Sequence, residues 1–206
     1  MTDGSPLTRL EAFSDAIFAI AATLLVLEIR VPQVVPNAPV SELWSRLADL
    51  WPSYLAFVLS FGTILVMWVN HHNSIRMLCR TSKPFLYANG LLLLLVTFIP
   101  FPTALLARYI DTPFRAVATV CYAGYAVITN GAFLVWGAAM EAPVYLGRPE
   151  LTRDHIARLN RQTIAGMAVY LGTAVISWWL PVVGLGLLVA LWIFWVMLSI
   201  GPAGGA

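Results

Sequence analysis

The sequence predicts an all-α, polytopic membrane protein with six transmembrane helices. Composition gives the first reason: 60% of the 206 residues are hydrophobic and 11% are charged. Soluble domains run near half apolar and a quarter charged. Patterning gives the second, because long apolar stretches recur with short connections and leave no room for a soluble domain. Charge gives the third. A formal net charge of +2 excludes a basic-patch nucleic-acid binder, and so apolar a chain is not disordered.

A bilayer core takes ~20 apolar residues per helix. The chain reads as a single domain over 1–206, with spans at about 13–29, 50–69, 84–106, 114–140, 163–180 and 182–200. The first opens at Phe13 and carries too many acids in its flank (Asp3, Glu11, Asp15) to be a cleaved signal peptide. The second leads into Trp68, Asn70, His71 and His72. Pro100 and Pro102 interrupt the third. The fourth runs to Met140 and is followed by a charged connection, Glu141 to Gln162. The half of that connection from Thr152 to Arg161 is either a surface helix or a plain loop. Pro181, Gly184 and Gly186 predict a tight hairpin between the last two spans. Trp44, Trp51, Trp178 and Trp179 fall near the expected interfaces, where aromatic belts form. Trp136, Trp192 and Trp195 read as packing residues.

Loop charges set the orientation. With a cytoplasmic N-terminus, Arg9, Arg76, Arg80, Lys83, Arg148, Arg153, Arg158 and Arg161 lie inside, while Arg30, Arg46, Arg108 and Arg115 lie outside. The positive-inside rule therefore places both termini in the cytoplasm. Cys79 and Cys121 are expected to be reduced and structural, since two cysteines in different segments make neither a disulfide scaffold nor a zinc-ligand pattern.

The first span is unusual. Its uninterrupted apolar core runs only from Ala16 to Leu27, between Asp15 and Glu28. Ionisable groups at that depth face protein or a water-filled cavity, so this helix belongs inside an assembly. At ~100° per residue, Ala16, Ile20, Thr23 and Leu27 share one stripe, and Asp15 points well away from it. A buried carboxylate needs partners. Asp15 either caps the helix with Ser14 or joins a network with Arg9, Ser14, Asn70 and one or both of His71 and His72. Glu28 reads as an interfacial charge paired with Arg30.

The string Arg9-Leu10-Glu11-Ala12-Phe13-Ser14-Asp15 resembles the Arg-x-x-x-Phe-Ser-Asp motif of the transmembrane protein 175 family, the lysosomal potassium channel and its bacterial relatives. Trp68-Val69-Asn70-His71-His72 is similar to that family as well. The resemblance implies a potassium-permeable cation channel in a bacterial cell membrane. One six-helix repeat per chain implies a homotetramer. The first helix of each subunit lines the pore, and Ile20, Thr23 and Leu27 fall on the family's pore-lining positions. Arg9, Phe13, Ser14 and Asp15, with Trp68, Asn70, His71 and His72, form the structural network around it. A ring of branched apolar side chains at Ile20 closes such a pore by dewetting, with Leu27 as a second ring. Thr23 either offers its hydroxyl to a cation or bonds back to the carbonyl of Ala19.

Partners are thus other copies of the chain, the bilayer, potassium and other monovalent cations, and no nucleic acid. No cofactor and no resident metal are expected, because adjacent histidines diverge by ~100° on a helix. A rival reading is a secondary transporter that relays protons through Asp15 and the histidines. No His-Glu-x-x-His, Gly-x-Ser-x-Gly or phosphate-cradling loop points to an enzyme.

Overall fold

A computed structural model of the chain describes residues 6–141, 145–149 and 151–200. Its elements are helical. α1 (Pro6–Leu24) tightens into a single 3₁₀ turn, Leu25–Glu28, and is followed by α2 (Val40–Ala48), α3 (Trp51–Arg76), α4 (Lys83–Phe98), α5 (Pro100–Tyr109), α6 (Arg115–Glu141), α7 (Arg153–Trp179) and α8 (Pro181–Ile200). Among the described residues, four helical stretches are long and apolar enough to cross a bilayer: Pro6–Glu28, Trp51–Arg76, Lys83–Tyr109 and Arg115–Glu141. α7 opens on Arg153, Arg158 and Arg161, and α8 is apolar from Pro181 to Met197.

Several boundaries differ from the sequence expectation for physical reasons. α1 starts at Pro6 rather than Phe13 because Leu10 already belongs to its buried stripe. Ser14 and Asp15 are therefore interior to the helix, and the expectation that Asp15 caps it is wrong. α2 was not expected at all. It is nine residues long, follows Pro39, and is braced by an Arg46–Glu42 ion pair at 2.7 Å. So short and half-polar a segment has no span-like signature. The third stretch breaks at Ile99, where Pro100 and Pro102 cannot donate and α5 restarts the ladder. Thr152 caps α7 by accepting from the His155 amide at 3.2 Å, so the segment from Thr152 to Arg161 is helical.

The α7–α8 connection is a single residue, Leu180. It is tight enough that a Cβ on Gly184 would lie 1.9 Å from the Ser177 hydroxyl. Gly62 likewise lets α3 approach α8, since a Cβ there would meet the Trp192 indole at 2.1 Å.

Two apolar cores stack along the bundle. One gathers Leu10, Phe18, Ala21 and Leu25 against Ile64 and Met67 of α3, Phe85 and Leu92 of α4, and Trp136 of α6. The other joins Ala56, Leu106, Ile110, Tyr122 and Leu188. Among the residues near their junction, the buried Ser60 hydroxyl meets those of Tyr122 and Thr103 at 3.0 and 2.6 Å. At the end of the bundle that holds the start of α1, the chain after α3 is clipped to the chain after α6. The Cys79 amide donates to the Leu146 carbonyl at 3.0 Å, and the Arg148 amide to the Met77 carbonyl at 2.8 Å.

Candidate functional site

α1 packs between α3 and α4 and buries one face, Leu10, Ser14, Phe18 and Ala21, which Leu25 of the 3₁₀ turn continues. These positions recur every three or four residues, as a single helical stripe requires. Thr23 lies about 180° from Ser14 by the same geometry. Ala16, Ile20 and Thr23 thus stand on the side turned away from the subunit, where Ile20 is 57% exposed. Leu27 is 70% exposed. It sits in the 3₁₀ turn, whose three residues per turn rotate it by about 60° from its α-helical projection. The Thr23 hydroxyl donates to the Ile20 carbonyl at 2.9 Å, one residue on from the expected Ala19. Its proton is used there, and the oxygen lone pairs remain available on the exposed face.

Behind that face lies a buried polar joint. Asn89 of α4, which sequence reasoning passed over, holds it together. Its Oδ1 accepts from Trp136 Nε1 at 3.2 Å and faces His71 Nε2 at 2.8 Å, while its Nδ2 donates to the Ser14 hydroxyl at 3.1 Å. The logic of the donors fixes every orientation. Indole N–H donates only, so the amide oxygen must face Trp136. The same oxygen faces His71, so His71 carries its proton on Nε2. The remaining ring nitrogen, Nδ1, is buried without a partner, which an unprotonated nitrogen tolerates better than an N–H would. The imidazole is packed between Phe18 and Trp136, each with its ring centroid 5.3 Å away. Four helices, α1, α3, α4 and α6, are joined at this point.

Asp15 is not part of that joint. Its Oδ1 accepts from Trp68 Nε1 at 2.8 Å, and among the described residues no hydrogen bond links it to either histidine. Trp68 also stacks on His72, with ring centroids 5.5 Å apart and planes 26° apart, and His72 Nδ1 stands 3.2 Å from Glu11 Oε1. The expected network is therefore two separate sets. Ser14 and His71 meet through Asn89, and Asp15 and His72 meet through Trp68. Arg9, Phe13 and Asn70 are exposed and lie outside both. Glu28 and Arg30 make no ion pair with each other among the described residues.

The chain has known relatives. The family described as "Endosomal/lysosomal potassium channel TMEM175" matches residues 9–100. A curated potassium channel from Chamaesiphon minutus is 48% identical over 181 residues, which span 84% of this chain and 87% of that protein. The chain belongs to the TMEM175 family.

A solved structure of a lysosomal potassium-selective channel TMEM175 homolog from the same organism superposes with a TM-score of 0.81 at 42% identity, covering 95% of this chain and 98% of the other. The human endosomal/lysosomal proton channel TMEM175 is 34% identical over 97 residues, 45% of this chain and 19% of the human protein. This TMEM175-family chain is an integral membrane protein of a family of channels, not of enzymes. The matched region holds α1, α3 and α4, and so every member of the two polar sets except Trp136 of α6.

Proposed function

We propose that the chain is the subunit of a homotetrameric, potassium-permeable cation channel. Four copies of α1 surround the ion path, and Ile20, Thr23 and Leu27 line it. One observation carries the reading. α1 buries a single stripe inside its own subunit and turns a stripe with a polar residue, Thr23, outward. The Thr23 hydroxyl proton is bonded to the Ile20 carbonyl, but the oxygen lone pairs have no use against lipid and a ready one beside an ion path on an axis shared by four copies. The potassium channel names of its relatives and the single repeat support the same arrangement.

In this reading α1, α3, the α4–α5 pair, α6, α7 and α8 make six crossings. An even number returns both termini to one side, the cytoplasmic side by loop charge. The clip between the segments after α3 and α6 is consistent, since it joins two loops assigned to the same side. Ile20 forms the dewetted constriction, and Thr23 supplies oxygen to a partly dehydrated cation. Methyl groups and hydroxyls discriminate modestly, so potassium is preferred over sodium weakly to moderately. Asn89 and its partners hold α1 in register. A proton relay that runs from Asp15 through His71 fits less well, because those two residues belong to separate hydrogen-bonded sets.

The test is potassium flux from proteoliposomes under an outward gradient. Wild-type protein is expected to conduct without saturating, to migrate at four times the subunit mass, and to lose a large part of its preference for potassium over sodium in Thr23→Ala. Flux that saturates and is coupled to a pH gradient would favour the transporter.

A further inference from the structure

Glu11 and Asp15 are four residues apart on α1, so their carboxylates stand one turn apart on the same face. His72 reaches them from α3. One carboxylate oxygen of Glu11, one of Asp15 and one ring nitrogen of His72 all lie within 4.8 Å of one another. His72 Nδ1 is shielded from solvent, makes no hydrogen bond, and lies 3.2 Å from Glu11 Oε1. Trp68 orients two of the three. Its N–H holds Asp15 Oδ1 and its ring backs the His72 imidazole. The side chains of His72 and Glu11 keep 28% and 31% exposure, which leaves an approach from water.

We propose that Glu11, Asp15 and His72 bind a divalent transition-metal ion of the zinc type and so pin α1 to α3. The donor set is one imidazole nitrogen and two carboxylate oxygens, a combination that suits zinc and selects against calcium and magnesium. Bonds of about 2.0–2.2 Å in a tetrahedron set ligand atoms about 3.3–3.5 Å apart. The three atoms, within 4.8 Å of one another as they stand, would draw in to that spacing around the ion, with a water in the fourth position. Two carboxylates balance the charge of the ion. The Trp68 N–H on Asp15 acts as the outer hydrogen bond that fixes a ligating carboxylate. Asp15 lies about 140° around the helix from Ile20, so the site is on the flank of α1 and not on the face assigned to conduction. Its existence does not depend on the channel reading.

Full-length protein stripped with EDTA is titrated with zinc chloride in detergent by calorimetry, in excess magnesium. One zinc per subunit is expected in the wild type, with a higher thermal unfolding midpoint once zinc is bound. The dissociation constant is expected to rise at least tenfold in His72→Ala and in Glu11→Gln, to rise about tenfold in Trp68→Phe, and to stay unchanged in His155→Ala. Size-exclusion profiles show which variants fold. Glu11→Gln replaces a half-exposed carboxylate and decides the matter if His72→Ala does not fold. Folded wild type that binds no zinc, or folded His72→Ala and Glu11→Gln that bind it as the wild type does, would overturn the proposal.

Discussion

Ile20→Asn raises potassium efflux from proteoliposomes at least tenfold over wild type at equal protein density. The side chain is more than half exposed within its own subunit, so the substitution leaves the packed stripe of Leu10, Ser14, Phe18 and Ala21 untouched. Its effect falls on the surface that the proposed tetramer would share. A ring of sec-butyl groups repels water from a narrow passage, and a cation then faces the full cost of losing its shell. A ring of amides holds water and offers oxygen atoms in place of methyl groups. A tenfold rise in flux corresponds to lowering the barrier by about 1.4 kcal/mol, a small part of that dehydration cost. Leu27→Asn produces a smaller rise, because the 3₁₀ turn carries Leu27 away from the stripe. Unchanged flux in both variants would remove the constriction from α1.

Asn89→Leu lowers stability by about 2–4 kcal/mol, read as the shift in a denaturation midpoint in detergent. Leucine keeps the volume and removes the amide. The indole N–H of Trp136, the Nε2–H of His71 and the hydroxyl of Ser14 then lose their partner together. Each buried group left unsatisfied costs about 1–3 kcal/mol. The losses fall short of a simple sum because such groups in membrane proteins find partial replacements. Asn70→Ala is the control of the same residue type. Asn70 is exposed, and its backbone carbonyl accepts from the Ser74 hydroxyl. The control is expected within about 0.5 kcal/mol of wild type. Equal stability of Asn89→Leu and wild type would show that the amide is not the joint between the helices.

The apolar helices and the special position of the first were legible because both are local properties. A run of apolar residues between prolines and charges reports a helix without knowledge of its neighbours, and the 3.6-residue repeat reports the faces of α1. Non-local pairings were not legible. Asn89 is the one amide in the run Leu86 to Val96, between Ala88 and Gly90 and ahead of five leucines, and a lone amide in such a run is itself a signal. Its partners come from α1, α3 and α6, however, and no spacing in the sequence relates them. For the same reason Asp15 was expected beside a histidine, whereas Trp68 reaches it first with an N–H that needs an acceptor. Glu11 and Asp15 are adjacent by helical spacing alone, yet only the crossing of α3 brings His72 to them. α2 escaped notice because nine residues with an Arg46–Glu42 pair resemble a loop in composition, and the 3₁₀ turn after Leu24 because a change in helical pitch leaves no compositional trace.

The central claim is that the outward stripe of α1 faces its own copies. Single cysteines introduced at Ile20, Thr23 and Leu25, in a chain with Cys79→Ser and Cys121→Ser, test it most directly under mild oxidation in the membrane. Ile20→Cys and Thr23→Cys are expected to give covalent dimers and to lose potassium flux until reduced, while Leu25→Cys, buried inside its subunit, gives neither. If Ile20→Cys and Thr23→Cys stay monomeric with unaltered flux, α1 does not line a path shared between subunits.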